Sequence, residues 1–223
     1  MRTSHGGDVP EPTASAFSIV FGPILRTFTW LFDTWKGTSK DDIDRRRRAW
    51  SEHFEPAYGR LETIHNDYLT SFHKFYDACR KFETPSNDLL FAFRSYGMQY
   101  ATWREDVRAF GDVSNAIAEQ FRKPDQKSAV QDFGKAIEAY FNVAIASGEK
   151  RHWPSWFSHF IGEFERHVRE GRSPWDGDYS STGVPNPTGT FIERLRSAYE
   201  TELPTKWKAV AAAKARLKAV FDL

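Results

Sequence analysis

Seven histidines, one cysteine and a run of four arginines are the residues of this 223-residue chain whose types and spacing could do chemistry. His159, Glu163 and His167 recur at intervals of four, so a helix would stack them along one flank, a spacing that can hold a metal ion. The apolar residues of the same segment, Phe157, Phe160, Ile161, Phe164 and Val168, occupy a neighbouring arc. That projection leaves the three polar groups on the wet flank, so a solvated face is expected and no metal ligand is assigned. The adjacent His-Glu pair of the zinc proteases is missing here.

His65 stands instead on an apolar stripe, between Leu61 and Phe72. A buried neutral imidazole can carry a proton or sense pH, but its commonest use is one hydrogen bond to a carbonyl or hydroxyl, and that is the expectation. Cys79 lies on the same stripe and reads as a buried, inert thiol. Being alone, it excludes an intrachain disulfide framework and a cysteine-rich zinc module.

Arg45, Arg46, Arg47 and Arg48 could meet phosphate or an anionic surface. Asp41, Asp42 and Asp44 partly neutralise them. Anionic-surface contact is assigned to Arg45, Arg46 and Arg48, whereas Arg47 projects onto the apolar stripe, which implies a register change or an ion pair. Asp176 and Asp178 share a spacing found in calcium loops, without the bidentate Glu that closes such a loop. No phosphate-binding glycine loop, nucleophile elbow or CxxC motif occurs, so no catalytic, cofactor-binding or metal residue is assigned. Missing motifs do not exclude an active site assembled from distant helices.

The elements that must position these groups read as helices throughout. Lys and Arg total 31 against 30 Asp and Glu, which argues against a globally basic nucleic-acid binder and against an acidic disordered chain. Leu occurs 10 times but Phe 19 times, with 8 Trp and 8 Tyr, so rings carry much of the burial. Residues 1–13 read as a disordered start, and they lack the charge and cleavage pattern of a secretory signal.

Residues 14–37 read as an amphipathic helix. Phe17, Val20, Phe21, Ile24, Leu25, Phe28, Leu31, Phe32 and Trp35 share one face, with Arg26, Thr29 and Asp33 opposite. Its charge-free stretch is shorter than the roughly 20 residues a bilayer span requires. Trp30 falls at the back of the polar arc, as it does in helices that lie in a membrane interface. Partner or membrane contact is therefore assigned to Phe21, Ile24, Leu25, Phe28, Trp30, Leu31, Phe32 and Trp35.

Residues 38–223 read as a helical bundle. Ile43, Trp50 and Phe54 precede Pro56, which is expected to kink or divide its helix. Tyr58, Leu61, His65, Tyr68, Phe72, Phe75, Cys79 and Phe82 follow at steps of three and four. Thr84 and Pro85 then cap a stripe from Leu89 to Phe121 that predicts one helix over about 85–122. Further helices follow: one marked by Val130, Phe133, Ile137, Phe141 and Ala144 that closes near Ser147 and Gly148, a shorter one from Trp153 and Pro154, one from Phe191 to Leu203, and one from Pro204 onward. Residues 171–190, with four Gly and three Pro, form a long loop without helical or strand periodicity, and no sheet is expected.

The expected fold is thus all-α: an elongated antiparallel bundle of four to five helices carrying an N-terminal amphipathic helix. The expected function is a non-catalytic interaction or scaffold protein, cytoplasmic and peripheral to the inner face of a membrane. A protein partner is expected, no cofactor is called for, nucleic acid is disfavoured, and the stripes also permit a homo-oligomer. Two other classes remain open on sequence alone: a membrane-perturbing effector whose N-terminal helix inserts, and an enzyme with an unrecognised helical site.

Overall fold

The computed structural model describes residues 42–82, 84–143, 155–179 and 185–223. The chain divides into two compact units, residues 1–45 and 46–223, and nearly all described residues fall in the second. They are mostly helical, as the all-α reading requires.

Helix α1 (Asp42–Ala49), a π-helical turn (Trp50–Phe54) and α2 (Glu55–Lys81) run on without interruption. Four helices follow: α3 (Asn87–Met98), α4 (Ala101–Ala118), α5 (Pro124–Phe141) and α6 (Trp156–Glu170). After a short β-ribbon come α7 (Phe191–Ser197), a second π turn (Ala198–Glu202) and α8 (Leu203–Phe221), again continuous. The described residues therefore form six rods rather than four or five.

Neither Pro56, expected to kink or divide its helix, nor Pro204, expected to start a new one, divides its rod, and both are accommodated in the same way. A proline ring collides with the carbonyl four residues back and cannot donate to it. Immediately before each proline the helix widens, so that Glu55 N–H reaches the Trp50 carbonyl and Leu203 N–H the Ala198 carbonyl, five residues back. The widening inserts one residue into the turn and rotates everything upstream. Arg46, not Arg47, therefore faces inward, and Ile43, expected on the stripe, is 53% exposed.

The stripe expected to form one helix over 85–122 is split between α3 and α4. Tyr100 takes a left-handed conformation, φ 57°, and begins the second helix. Phe93 before the break and Val107, Phe110, Ser114, Ile117 and Phe121 after it are all buried. A two-residue interruption that keeps the inward face in phase leaves no trace in the periodicity. The cap of α3 is Ser86, whose hydroxyl accepts from Leu89 N–H at 3.2 Å, rather than Thr84.

Two kinds of packing fill the interior. Between α2, α3, α6 and α7 the core is made of rings: Phe75 stacks on Phe93 at 3.8 Å and meets Phe164 edge-on at 4.9 Å, while Phe164 touches Phe191 at 5.5 Å. Between α4 and α5 the helices meet over small residues. A Cβ on Gly134 would lie 1.7 Å from Ser114 Oγ, so the close approach of these backbones requires glycine.

The segment expected to be an irregular loop holds a short antiparallel pairing of β1 (Gly177–Tyr179) with β2 (Pro185–Thr190). Gly177 pairs with Thr190 and Tyr179 with Pro185, with a bulge between. Backbone pairing of this length needs no side-chain alternation, so periodicity could not announce it. The ribbon runs straight into α7 through a capping box, in which Thr190 Oγ1 accepts from Glu193 N–H at 3.2 Å and Glu193 accepts from Thr190 N–H at 2.8 Å.

Candidate functional site

The break between α3 and α4 gathers the most polar part of the interior. Ending α3 leaves carbonyls without a helical donor, and Arg104, on the first turn of α4, donates through Nη2 to the Gly97 carbonyl. Its Nη1 donates to Asp67 Oδ2 on α2 at 3.0 Å, and both side chains are nearly enclosed. The guanidinium lies over the rings of Phe157 at 4.8 Å and Tyr68 at 5.5 Å. Ser71 donates to Asp67 Oδ1 at 3.3 Å. Burial raises the Asp67 carboxyl above its ordinary value, and the Arg104 charge opposes that rise. One cation thus ends a helix, pairs a buried acid and stacks on two rings.

A second chain of groups leads from this centre to the surface between α2, α5 and α8. His65 Nδ1 is 3.0 Å from the Tyr140 hydroxyl, and its ring stacks on Trp207 at 4.7 Å, 9° from parallel. Trp207 packs on Tyr58 at 5.0 Å, and Lys214 Nζ sits 3.5 Å over the Tyr58 ring. Burial lowers His65 to about 4, so it is neutral at physiological pH, as its place on the stripe implied. Burial raises the Tyr68 and Tyr140 hydroxyls. Nearby, Lys206 donates to the carbonyls of Ala139 and Asn142 at 2.5 Å each, closing the end of α5.

The His159, Glu163 and His167 flank is buried, which corrects the expectation of a solvated face. His159 is 8% and His167 2% exposed. The reason is a second neighbour: α7 covers the flank that the apolar arc does not, bringing the Phe191 ring to 5.6 Å from His167. Arg194 on α7 donates to Glu163 Oε2 at 3.2 Å and to the Gly189 carbonyl at 2.7 Å, tying the ribbon to α6. His159 Nε2 is 3.8 Å from the same carboxylate oxygen, and burial lowers the His159 pKa. Glu163 thus anchors an arginine. Among the described residues no group of three or more His, Cys, Asp or Glu is placed to hold a metal ion.

Cys79 is fully buried, and burial pushes its thiol up to about 12. Arg46 is buried too, and donates from Nη1 to the Phe221 carbonyl at 3.3 Å, with Asp222 Oδ2 at 3.6 Å. It is therefore no surface contact, which corrects its assignment; of the two alternatives offered for Arg47, the register change is the one found, and the ion pair belongs to Arg46. Arg47 and Arg48 are exposed. The side chain of Arg45, and Phe21, Ile24, Leu25, Phe28, Trp30, Leu31, Phe32 and Trp35, lie outside the described residues. So does the Asp178 side chain.

On the surface, an open pocket of about 310 Å³ is lined by Asp77, Arg80 and Lys81 at the end of α2. Beside it Arg80 lies over the Tyr76 ring at 5.9 Å, and Tyr199 and the exposed Trp175 meet Tyr76 at 5.9 and 6.5 Å. Tyr199 belongs to the second π turn, so a proline in the sequence marks where this ring projects.

No family model, curated protein or solved structure matches the chain. Among the described residues no helix is long and apolar enough to cross a membrane. Sequence reasoning missed the Asp67–Arg104 pair. Neither residue stands in a motif, and they are brought together only by the helix break at Tyr100.

Proposed function

We propose that the protein is a non-catalytic helical scaffold, an elongated antiparallel bundle held peripherally at a membrane surface by the amphipathic segment 14–37. The observation that carries this reading is how the body's ionisable groups are used. Arg104, Lys206, Arg194 and Arg46 each close a helix end or secure a loop by donating to a backbone carbonyl. That is the chemistry of a rigid frame. The contact element is then the stripe of Phe21, Ile24, Leu25, Phe28, Leu31, Phe32 and Trp35, which the sequence sets on one helical face with Trp30 behind.

Co-sedimentation of the full chain with neutral phosphatidylcholine vesicles tests the reading. Wild-type protein sediments with the vesicles without releasing entrapped dye, and Phe28→Glu remains in the supernatant. Wild-type protein that stays in the supernatant overturns it. Release of the dye replaces it with the membrane-perturbing alternative.

A further inference from the structure

We propose that the end of the body where α1, the α4–α5 turn and the last turn of α8 meet is a basic docking surface for the headgroups of an anionic bilayer. This deepens the membrane reading above and rests on it, because it gives the folded body its own share of the attachment.

One ring assembles the surface. Phe221, on the last turn of α8, packs against Phe54 at 5.8 Å and Phe121 at 5.0 Å, and its carbonyl accepts from Arg46. Segments far apart in sequence are thereby pinned together, and each brings exposed cations: Arg47 and Arg48 from α1, Arg122 and Lys123 from the turn after Phe121, and Lys218 from α8. In the sequence these are three scattered clusters.

Three acids of this end are engaged locally. Asp222 faces Arg46 at 3.6 Å, and Glu119 pairs with Lys127 at 2.5 Å. Asp125 accepts the Gln126 N–H at 2.9 Å in the first turn of α5, where a negative charge balances the helix end. Asp42 and Asp44 precede Arg47 and Arg48 by less than two turns of α1.

The charge balance of the chain and the segment next to the patch choose the partner. A nucleic-acid binder combines a basic patch or stripe with a strongly basic domain, whereas these charges cap one end of a set of rods on a chain of net charge +1. Binding of an interfacial helix rests on buried apolar area, strengthened by electrostatic attraction between nearby cations and anionic lipid. The residues that precede α1 in the chain supply the first, so the second belongs beside α1. Each Lys or Arg near an anionic surface strengthens partitioning about fivefold and acts only within a screening length.

The test is vesicle co-sedimentation of the full chain, comparing phosphatidylcholine alone with phosphatidylcholine containing about 30 mol % phosphatidylserine. Wild-type protein binds the anionic vesicles at least 100-fold more tightly, and about 0.5 M salt removes most of the difference by shortening the screening length. The variant Arg47→Gln/Arg48→Gln/Arg122→Gln/Lys123→Gln loses on the order of 100-fold or more on anionic vesicles and nothing on neutral ones. The control Lys74→Gln/Lys135→Gln/Arg169→Gln/Lys208→Gln, at exposed positions elsewhere, retains wild-type binding. Helical circular dichroism of both variants matches wild type.

Equal binding to neutral and anionic vesicles overturns the inference and leaves the scaffold reading standing. So does an equal loss in both variants, which would reflect total charge rather than this surface. Tighter binding to a DNA or RNA duplex than to anionic vesicles, lost in the first variant alone, overturns it in favour of a nucleic-acid surface. Failure to bind either kind of vesicle defeats both readings.

Discussion

The ring-packed seam between α2, α3, α6 and α7 and the small-residue seam between α4 and α5 solve one problem in opposite ways. In the first, Phe72, Phe75, Phe93, Phe157, Phe160, Phe164 and Phe191 interlock, several pairs edge to face and Phe75 flat on Phe93, and each ring keeps its helix at a distance. In the second, Gly111 and Gly134 let two backbones approach until Ser114 touches the facing helix. The first seam is sensitive to loss of volume and the second to gain of volume. Core substitutions here should therefore be judged by which seam they fall in.

The largest effect is expected from emptying the ring seam. Phe75→Ala removes a ring in contact with Phe93, Phe164 and Phe191, and should cost about 3–5 kcal/mol in denaturant unfolding. A cost below about 1 kcal/mol would mean the rings can slide to fill the gap, and the contrast between seams would vanish.

Filling the other seam comes next. Gly134→Ala places a methyl on Ser114 Oγ and Cβ, at a cost of about 1–3 kcal/mol. Both overlapping atoms belong to Ser114, so adding Ser114→Gly should recover most of the loss, a coupling that a double-mutant cycle reads directly. Additive losses would place the strain elsewhere.

A smaller change, set by pH, reads a third aromatic group, the one between α2, α5 and α8. Burial depresses His65 to about 4 from 6.5, and lowers His53 and His159 as well. On acidification the unfolded chain takes up these protons first. Stability is therefore complete above pH 6.5 and declines as pH falls toward 4. Melting temperature should fall over that window, and His65→Phe/Tyr140→Phe, which removes the titrating group together with its hydroxyl partner, should flatten the slope.

The smallest effect concerns Gly111, where an added Cβ would meet only ordinary contacts at 3.4 Å. Gly111→Ala should stabilise α4 by up to about 1 kcal/mol through helix propensity. Destabilisation would show that this seam is closed at both glycines rather than at one.

The apolar stripes, the burial of His65 and Cys79 and the all-helical class were legible in the sequence, because burial on one face of a helix follows from spacing alone. What escaped depended on a third element. The flank of His159 and His167 looked wet because a projection assumes one neighbour, while α6 has α3 on one side and α7 on another. The break at Tyr100 kept the stripe in phase and so stayed hidden, and with it the Asp67–Arg104 pair. The π turns escaped for the opposite reason: they shift the phase by one residue, which turned Arg46 inward where Arg47 was expected. The contact residues assigned between Phe21 and Trp35 rest on amphipathic spacing alone.

Cys79 gives the molecule a built-in clock. Its thiol is the only one in the chain, fully covered and held protonated. A thiol-reactive reagent can reach it only when the end of α2 comes away from its neighbours. The labelling rate in mild buffer thus times that opening event without any engineered probe, and one added mass per chain records it.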